Sequence, residues 1–255
     1  MIDPCPKCGY EPDLAGVSTT ECARCGIVFS KWRTVPEPVA RDPWPATPVE
    51  EDVEERGLVA GTLAAIVTPR VVTTVEFAGH AIVYLVIFIW GWRFILMDMH
   101  SNEIGSSFMH LIDLVFHEAG HVLFMPFGRF MMILGGSLLQ LLVPLSVAAV
   151  FLVKNRDPFG ASIGVWWLGQ SFKDLAPYIN DARALSLPLL GGITGFENPD
   201  VHDWRNILSS LGILHFDHVV AWWSDRIGTT LLLVAMAWGA WTLYREYRTR
   251  DDEQI

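Results

Sequence analysis

Two histidines four residues apart form the most chemically informative pattern in this 255-residue chain. His117 and His121 enclose the segment His-Glu-Ala-Gly-His, and residues four apart lie on the same face of a helix. Two imidazoles on one face can bind one metal ion, and Glu118 is placed to take a proton from a water that the metal activates. The spacing therefore predicts a zinc site with Glu118 as the general base.

The residues on either side of this motif are apolar. Segments 114–116 and 122–125 consist of Leu-Val-Phe and Val-Leu-Phe-Met, which do not suit a solvated helix face. Ionisable groups are costly inside a bilayer and mark functional positions there. We therefore expect this metal site to lie within a membrane.

A second metal-binding pattern lies at the N-terminus. Cys5, Cys8, Cys22 and Cys25 form two C-x-x-C-G units, as in the zinc ribbons of many bacterial proteins. Four thiolates make a closed tetrahedral zinc site, which is structural because it leaves no position for substrate. A redox pair is the alternative, but two matched units favour zinc. We predict a zinc ribbon over residues 1–33 in a reducing compartment, which places the N-terminus in the cytosol.

The rest of the chain divides by composition. Residues 34–56 hold five prolines and an acidic run, which predicts a solvated linker, and residues 57–255 predict an all-α, polytopic membrane helix bundle. We expect about five or six membrane segments. Either 57–72 or 184–200 enters the membrane in part, or one of the candidate spans does not cross it fully. The five candidate spans are 77–97, 107–127, 130–153, 159–180 and 227–244.

Charge and composition exclude some classes of function. The net charge of −10 does not suit a nucleic-acid-binding protein, and 51% hydrophobic residues are typical of a membrane protein. The first residues show no cleavable signal peptide. We expect an integral protein of a bacterial inner membrane, and the sequence does not predict its oligomeric state.

The motif at 117–121, set in an apolar segment, resembles the site-2 protease family of intramembrane zinc metalloproteases. That family takes its third zinc ligand from an aspartate on a later membrane helix, in a segment of the form N-x-x-P-x-x-x-L-D-G. The nearest match is 175–182, where Pro177 and Asp181 correspond in kind and Ala182 stands in place of the glycine. The resemblance implies Asp181 as the third ligand of a catalytic zinc ion.

Other residues compete for places around this ion. Asp174 lies on nearly the same helix face as Asp181, and His202 with Asp203 offers a second possible ligand pair, although Asp203 also suits a helix cap. Asp113 and His110 share a face with His117, so Asp113 can accept the second N–H of that ligand or simply face water. Three polar residues are candidates for the lining of an aqueous cavity: Gln140, Gln170 and Asn180.

The function expected from these features is cleavage of a peptide bond in or near a transmembrane segment of a partner protein. Glu118 would act as base, one zinc ion would be catalytic and a second, in the ribbon, structural. The alternative is a non-enzymatic membrane scaffold or metal-handling protein, in which Glu118 is dispensable. A third possibility makes the ribbon the functional part and the membrane domain its anchor.

Overall fold

The chain divides into two compact units, Met1–Glu55 and Arg56–Ile255. The predicted linker at 34–56 and residues 57–70 of the possible membrane segment at 57–72 lie outside the described residues. The computed structural model describes residues 5, 7–8, 20–22, 24–28 and 71–249.

The described part of the second unit is mostly helical, and the ranges described contain no β-strand. Its α-helices are α1 (Thr74–Leu96), α2 (Phe108–Phe124), α3 (Arg129–Ala149), α4 (Pro158–Asn180), α5 (Asp203–Ser210) and α6 (Asp217–Thr249).

Three helical segments are long and apolar enough to cross a membrane: Thr74–Leu96, Arg129–Lys154 and Leu214–Thr249. The segments predicted as spans at 107–127 and 159–180 form α2 and α4, and their insertion in a membrane stays a prediction. The membrane-protein class is supported, whereas the number of spans is not fixed by these three helices.

Side-chain caps fix where the first helices begin. Thr73 and Glu76 form a capping box on α1, in which each side chain accepts a hydrogen bond from the other residue's backbone N–H. Ser107 accepts from the backbone N–H of His110 at 3.1 Å and so starts α2. Within α2, His117 is buried and His121 is partly buried.

Glycines allow α2 and α3 to cross at very short range. A Cβ atom at Gly120 would overlap the carbonyl oxygen of Gly135, so no larger residue fits without moving the helices apart. The two backbones therefore approach closely beside the His117–His121 turn. This crossing brings polar side chains of α3 within reach of the histidines.

A second close crossing joins α4 to α6. A Cβ atom at Gly228 would lie 2.6 Å from the carbonyl oxygen of Gly169. The neighbouring core buries Phe94 and Trp166 together with Leu232. Burial of such large apolar side chains stabilises the α1–α4–α6 packing.

The last predicted span belongs to a longer helix. The span expected over 227–244 is part of a 33-residue helix that begins at Asp217. The polar residues between 217 and 226 interrupt the apolar pattern without interrupting the helix. The short helix α5 precedes it and ends at Ser210 after eight residues.

Candidate metal centre

Three ligand-type side chains meet between α2 and α5. His117 and His121 project from successive turns of α2, and Asp203 is the first residue of α5. The Oδ2 atom of Asp203 lies 3.1 Å from Nε2 of His117 and 3.3 Å from Nε2 of His121. One ligand atom from each residue lies within 4.8 Å of the other two, so the group can hold a metal ion.

The second ring nitrogen of each histidine is also engaged. Nδ1 of His117 lies 2.9 Å from Oε1 of Gln140, and Nδ1 of His121 lies 2.9 Å from the main-chain oxygen of Met132. Both partners are carbonyl oxygens, which only accept, so each Nδ1 carries the hydrogen and donates it. In a neutral imidazole this leaves the lone pair on Nε2, which faces the shared point, as in metal-ligating histidines.

The donor set at this point fits a zinc ion. Two imidazole nitrogens and one carboxylate oxygen can each donate an electron pair to the same metal ion. Two histidines and one carboxylate are also a known zinc ligand set that leaves a fourth position free. The residues present therefore match what a catalytic zinc ion requires.

Tyr178 holds Asp203 in place. Its hydroxyl donates to Oδ2 of Asp203 at 3.2 Å and accepts from the backbone N–H of Asp203 at 2.8 Å. These two hydrogen bonds hold the Asp203 carboxylate with its Oδ2 atom facing the two imidazoles, as a metal ligand requires.

The cap of α5 is His202 and not Asp203. The side chain of His202 accepts from the backbone N–H of Arg205 at 3.3 Å, while Asp203 is already inside the helix. The capping role predicted for Asp203 is therefore wrong by one residue. This shift leaves the Asp203 carboxylate free to face the two histidines.

The structure does not bring Asp181 to the two histidines. Its Oδ1 accepts from the backbone N–H of Ser186 at 2.9 Å and from the hydroxyl of the same residue at 2.7 Å. Its Oδ2 accepts from the backbone N–H of Leu187 at 3.0 Å. The residue expected as third ligand instead fixes the turn that follows α4, and Asp203 occupies the position beside the histidines.

The other acidic candidates have separate partners. Asp174 accepts from Nδ1 of His110 at 2.9 Å and from Nε2 of Gln140 at 3.1 Å. Asp113, predicted as a possible acceptor for His117, instead accepts from the indole N–H of Trp167 at 2.8 Å. The amide of Gln140 takes the place next to His117 that the sequence offered to Asp113.

Glu118 and the three ligand-type residues line a cavity of about 860 Å³. One wall is a tight turn in which Pro188 and Thr194 form an isolated antiparallel bridge. Gln140 contributes to the cavity as predicted, whereas Gln170 and Asn180 are not among its lining residues. Much of the lining is apolar, and it includes Leu111, Leu114, Ile133, Leu187, Leu189 and Ile193.

Two contributors to the site carried no separate chemical signal in the sequence. A Cβ atom at Gly136 would lie 2.6 Å from Nε2 of His117 and 2.6 Å from Cε1 of His121, so only glycine leaves room for both rings. Tyr178 lies inside the 175–182 segment but was not singled out there. In the sequence, Gly136 belongs to a glycine pair in an uncharged span and Tyr178 follows Pro177, and neither position by itself indicates a metal site.

The four cysteines of the first unit are also close together. Their sulfur atoms lie within 4.8 Å of one another, with Cys5 and Cys25 at 3.8 Å and Cys8 and Cys22 at 3.8 Å. A hydrogen bond from the backbone N–H of Cys25 lowers the pKa of the Cys22 thiol to about 6. Four sulfurs at this spacing match a tetrahedral metal site.

Comparisons of this chain with protein families, curated proteins and solved structures give no significant match. The proposed function therefore rests on the residues of this chain and their geometry.

Proposed function

We propose that this protein is a zinc-dependent endopeptidase whose active site lies within a membrane. One observation carries the proposal: the lone pairs of His117 and His121 and the Asp203 carboxylate converge in a cavity that Glu118 also lines. A metal site that only stabilises the fold needs neither this cavity nor an adjacent carboxylate.

Each residue has a distinct part in the proposed reaction. His117, His121 and Asp203 would hold a zinc ion, which when bound would supply Lewis acidity at the scissile carbonyl and at a nearby water. Glu118 would take the proton from the attacking water and return it to the leaving amine. Tyr178 keeps the Asp203 carboxylate oriented throughout.

The membrane setting follows from the apolar helices and the cavity lining. We infer an all-α bundle with about five or six membrane segments in a bacterial inner membrane. The substrate is then a membrane protein, and its helix must unwind locally because its carbonyls are otherwise hydrogen-bonded along the helix. An N-terminal zinc ribbon in the cytosol, built on Cys5, Cys8, Cys22 and Cys25, completes the proposed architecture.

The test of this function is Glu118→Gln in the full-length protein, solubilised in detergent and supplied with a panel of single-span peptides. Glu118 is not a proposed ligand, so zinc content stays at the wild-type level. Loss of the general base lowers the cleavage rate by about 10²- to 10⁴-fold.

The matched control is Glu103→Gln, which neutralises a glutamate in the turn before α2 and leaves cleavage unchanged. If E118Q cleaves as fast as wild type, or if zinc-loaded wild type cleaves none of the peptides, the endopeptidase proposal fails. Retained zinc without cleavage by wild type favours the non-enzymatic metal-handling alternative.

A further inference from the structure

Two buried polar residues near the candidate metal centre are not direct ligands. Gln140 on α3 is only 3% exposed, and Asp174 on α4 is only 8% exposed. Burying a carboxylate and an amide costs free energy unless both are hydrogen-bonded. They are linked to each other, and the link continues to His117 on one side and to His110 on the other.

Asp174 determines which group donates and which accepts in each hydrogen bond from Asp174 through Gln140 to His117. An ionised carboxylate only accepts, so Gln140 must turn its NH₂ group towards Asp174, at 3.1 Å. That choice turns the Gln140 carbonyl oxygen towards His117, at 2.9 Å. The carbonyl in turn requires the hydrogen on Nδ1 of His117 and leaves the lone pair on Nε2.

His121 needs no such arrangement. Its Nδ1 donates to the main-chain oxygen of Met132 at 2.9 Å, and a main-chain carbonyl cannot exchange its oxygen for a donor. The amide of Gln140 can rotate by half a turn and present NH₂ to His117 instead. His117 is therefore the ligand whose tautomer depends on a further residue.

We propose that Asp174 is a positioning residue which, by fixing the orientation of the Gln140 amide, selects the metal-binding tautomer of His117. This inference rests on the metal site of the proposed function but not on peptidase activity. Nδ1 of His110 donates to the same carboxylate at 2.9 Å, and this hydrogen bond helps to keep Asp174 within reach of Gln140. A carboxylate two hydrogen bonds away from His117 thus acts on the proposed ion without touching it.

The proposal is tested by exchanging the carboxylate of Asp174 and the amide of Gln140. Asp174→Asn can present either an oxygen or an NH₂ group to Gln140, so it no longer dictates the orientation of that amide. Zinc affinity of the full-length protein, measured by competition with a chelator, falls by about 10- to 100-fold in D174N. In the Q140E background, D174N causes no loss of zinc affinity. The carboxylate now at position 140 accepts from His117, and the amide now at position 174 donates to that carboxylate.

The protonation state of His117 gives a second readout that does not involve metal. In zinc-free protein carrying D203A, which removes the carboxylate 3.1 Å from Nε2 of His117, ¹⁵N chemical shifts of the His117 ring show the hydrogen on Nδ1, and with D174N added they show a mixture of tautomers. The matched control is Asp113→Asn, since Asp113 is a buried carboxylate one turn from His117 that bonds to Trp167 instead. D113N keeps the zinc affinity and the His117 tautomer of wild type.

The outcomes separate the two proposals. If D174N weakens zinc binding equally with Gln140 and with Q140E, or leaves the tautomer unchanged, the positioning role is overturned. If wild type and E118Q cleave equally while the swap pattern holds, the peptidase proposal fails and the positioning role stands. If folded wild type binds no zinc at this site, both are overturned.

Discussion

The α2–α3–α5 junction and the α4–α6 interface both bring helix backbones close together, but they differ in how their buried ionisable side chains are paired. Both rely on glycines that let helix backbones approach closely. Both also bury ionisable side chains. At the α4–α6 interface, Lys173 donates to Asp225 at 2.5 Å and to Thr229 at 3.3 Å, so the buried cation and the carboxylate neutralise each other.

The α2–α3–α5 junction instead places two histidines against one carboxylate. The Nδ1 atoms of His117 and His121 face carbonyl oxygens, and their Nε2 atoms face Asp203. A buried charge is tolerated when it is paired or coordinates a metal. The α4–α6 pair is thus one cation with one carboxylate, whereas the junction offers three ligand-type atoms at one point, as the proposed zinc site requires.

The sharpest way to break this comparison is to remove one carboxylate from each region. Asp203→Ala deletes a ligand and lowers zinc affinity by more than about 100-fold, because ligand loss exceeds the effect of an outer partner. Asp225→Ala leaves Lys173 buried without its partner and lowers the free energy of unfolding by about 3–5 kcal/mol. Chelator competition and denaturant unfolding of the same two proteins measure both effects.

Asp181→Ala is the control for the third ligand, since it removes a buried carboxylate that bonds to Ser186 and Leu187. D181A keeps zinc affinity at the wild-type level. Zinc loss in D181A together with retention in D203A would reverse the assignment of the ligand.

The glycines offer a second, smaller contrast. Gly136→Ala places a methyl group 2.6 Å from Nε2 of His117, which displaces the ring and lowers zinc affinity by about 10- to 100-fold. Gly169→Ala places a methyl group 2.9 Å from the carbonyl oxygen of Gly228 and lowers stability by about 1–3 kcal/mol through overpacking. Unchanged zinc affinity in G136A, or lost zinc in G169A at full stability, would contradict the contrast.

Tyrosine hydroxyls give the smallest expected effect. Tyr178→Phe removes the donor to Asp203 and lowers zinc affinity by about 2- to 10-fold, the worth of one net hydrogen bond. Tyr84→Phe removes a donor to the main-chain oxygen of Met236, between α1 and α6, and affects stability only. A Y178F protein with wild-type zinc affinity would show that the backbone of α5 alone positions Asp203.

Local patterns in the sequence predicted the parts of the site that lie on one helix. His117, Glu118 and His121 fall within one and a half turns of α2, so their spacing alone puts them together. The helical class and the apolar segments were likewise readable from composition and run length. The membrane-protein class rests on those same features.

The third residue of the candidate metal site could not be predicted from local spacing, because it depends on how segments distant in the chain pack together. Asp181 was favoured by a resemblance in sequence, yet backbone N–H groups after α4 take up its carboxylate. Asp203 was identified as an alternative, but a one-residue difference in the cap of α5 decided its role. Hydrogen bonds that depend on helix rotation, such as His117 to Gln140, leave no periodic signal in the chain.

The position of Asp203 at the start of α5 also has a mechanical consequence. His117 and Asp203 are separated by 86 positions in the chain, so an ion held by both acts as a cross-link that closes a long loop. In the chain-entropy description, closing a loop of this size is worth on the order of 4 kcal/mol against the unfolded state. An ion bound there would therefore stabilise the folded chain between α2 and α5 against unfolding, and its removal would lower the free energy of unfolding.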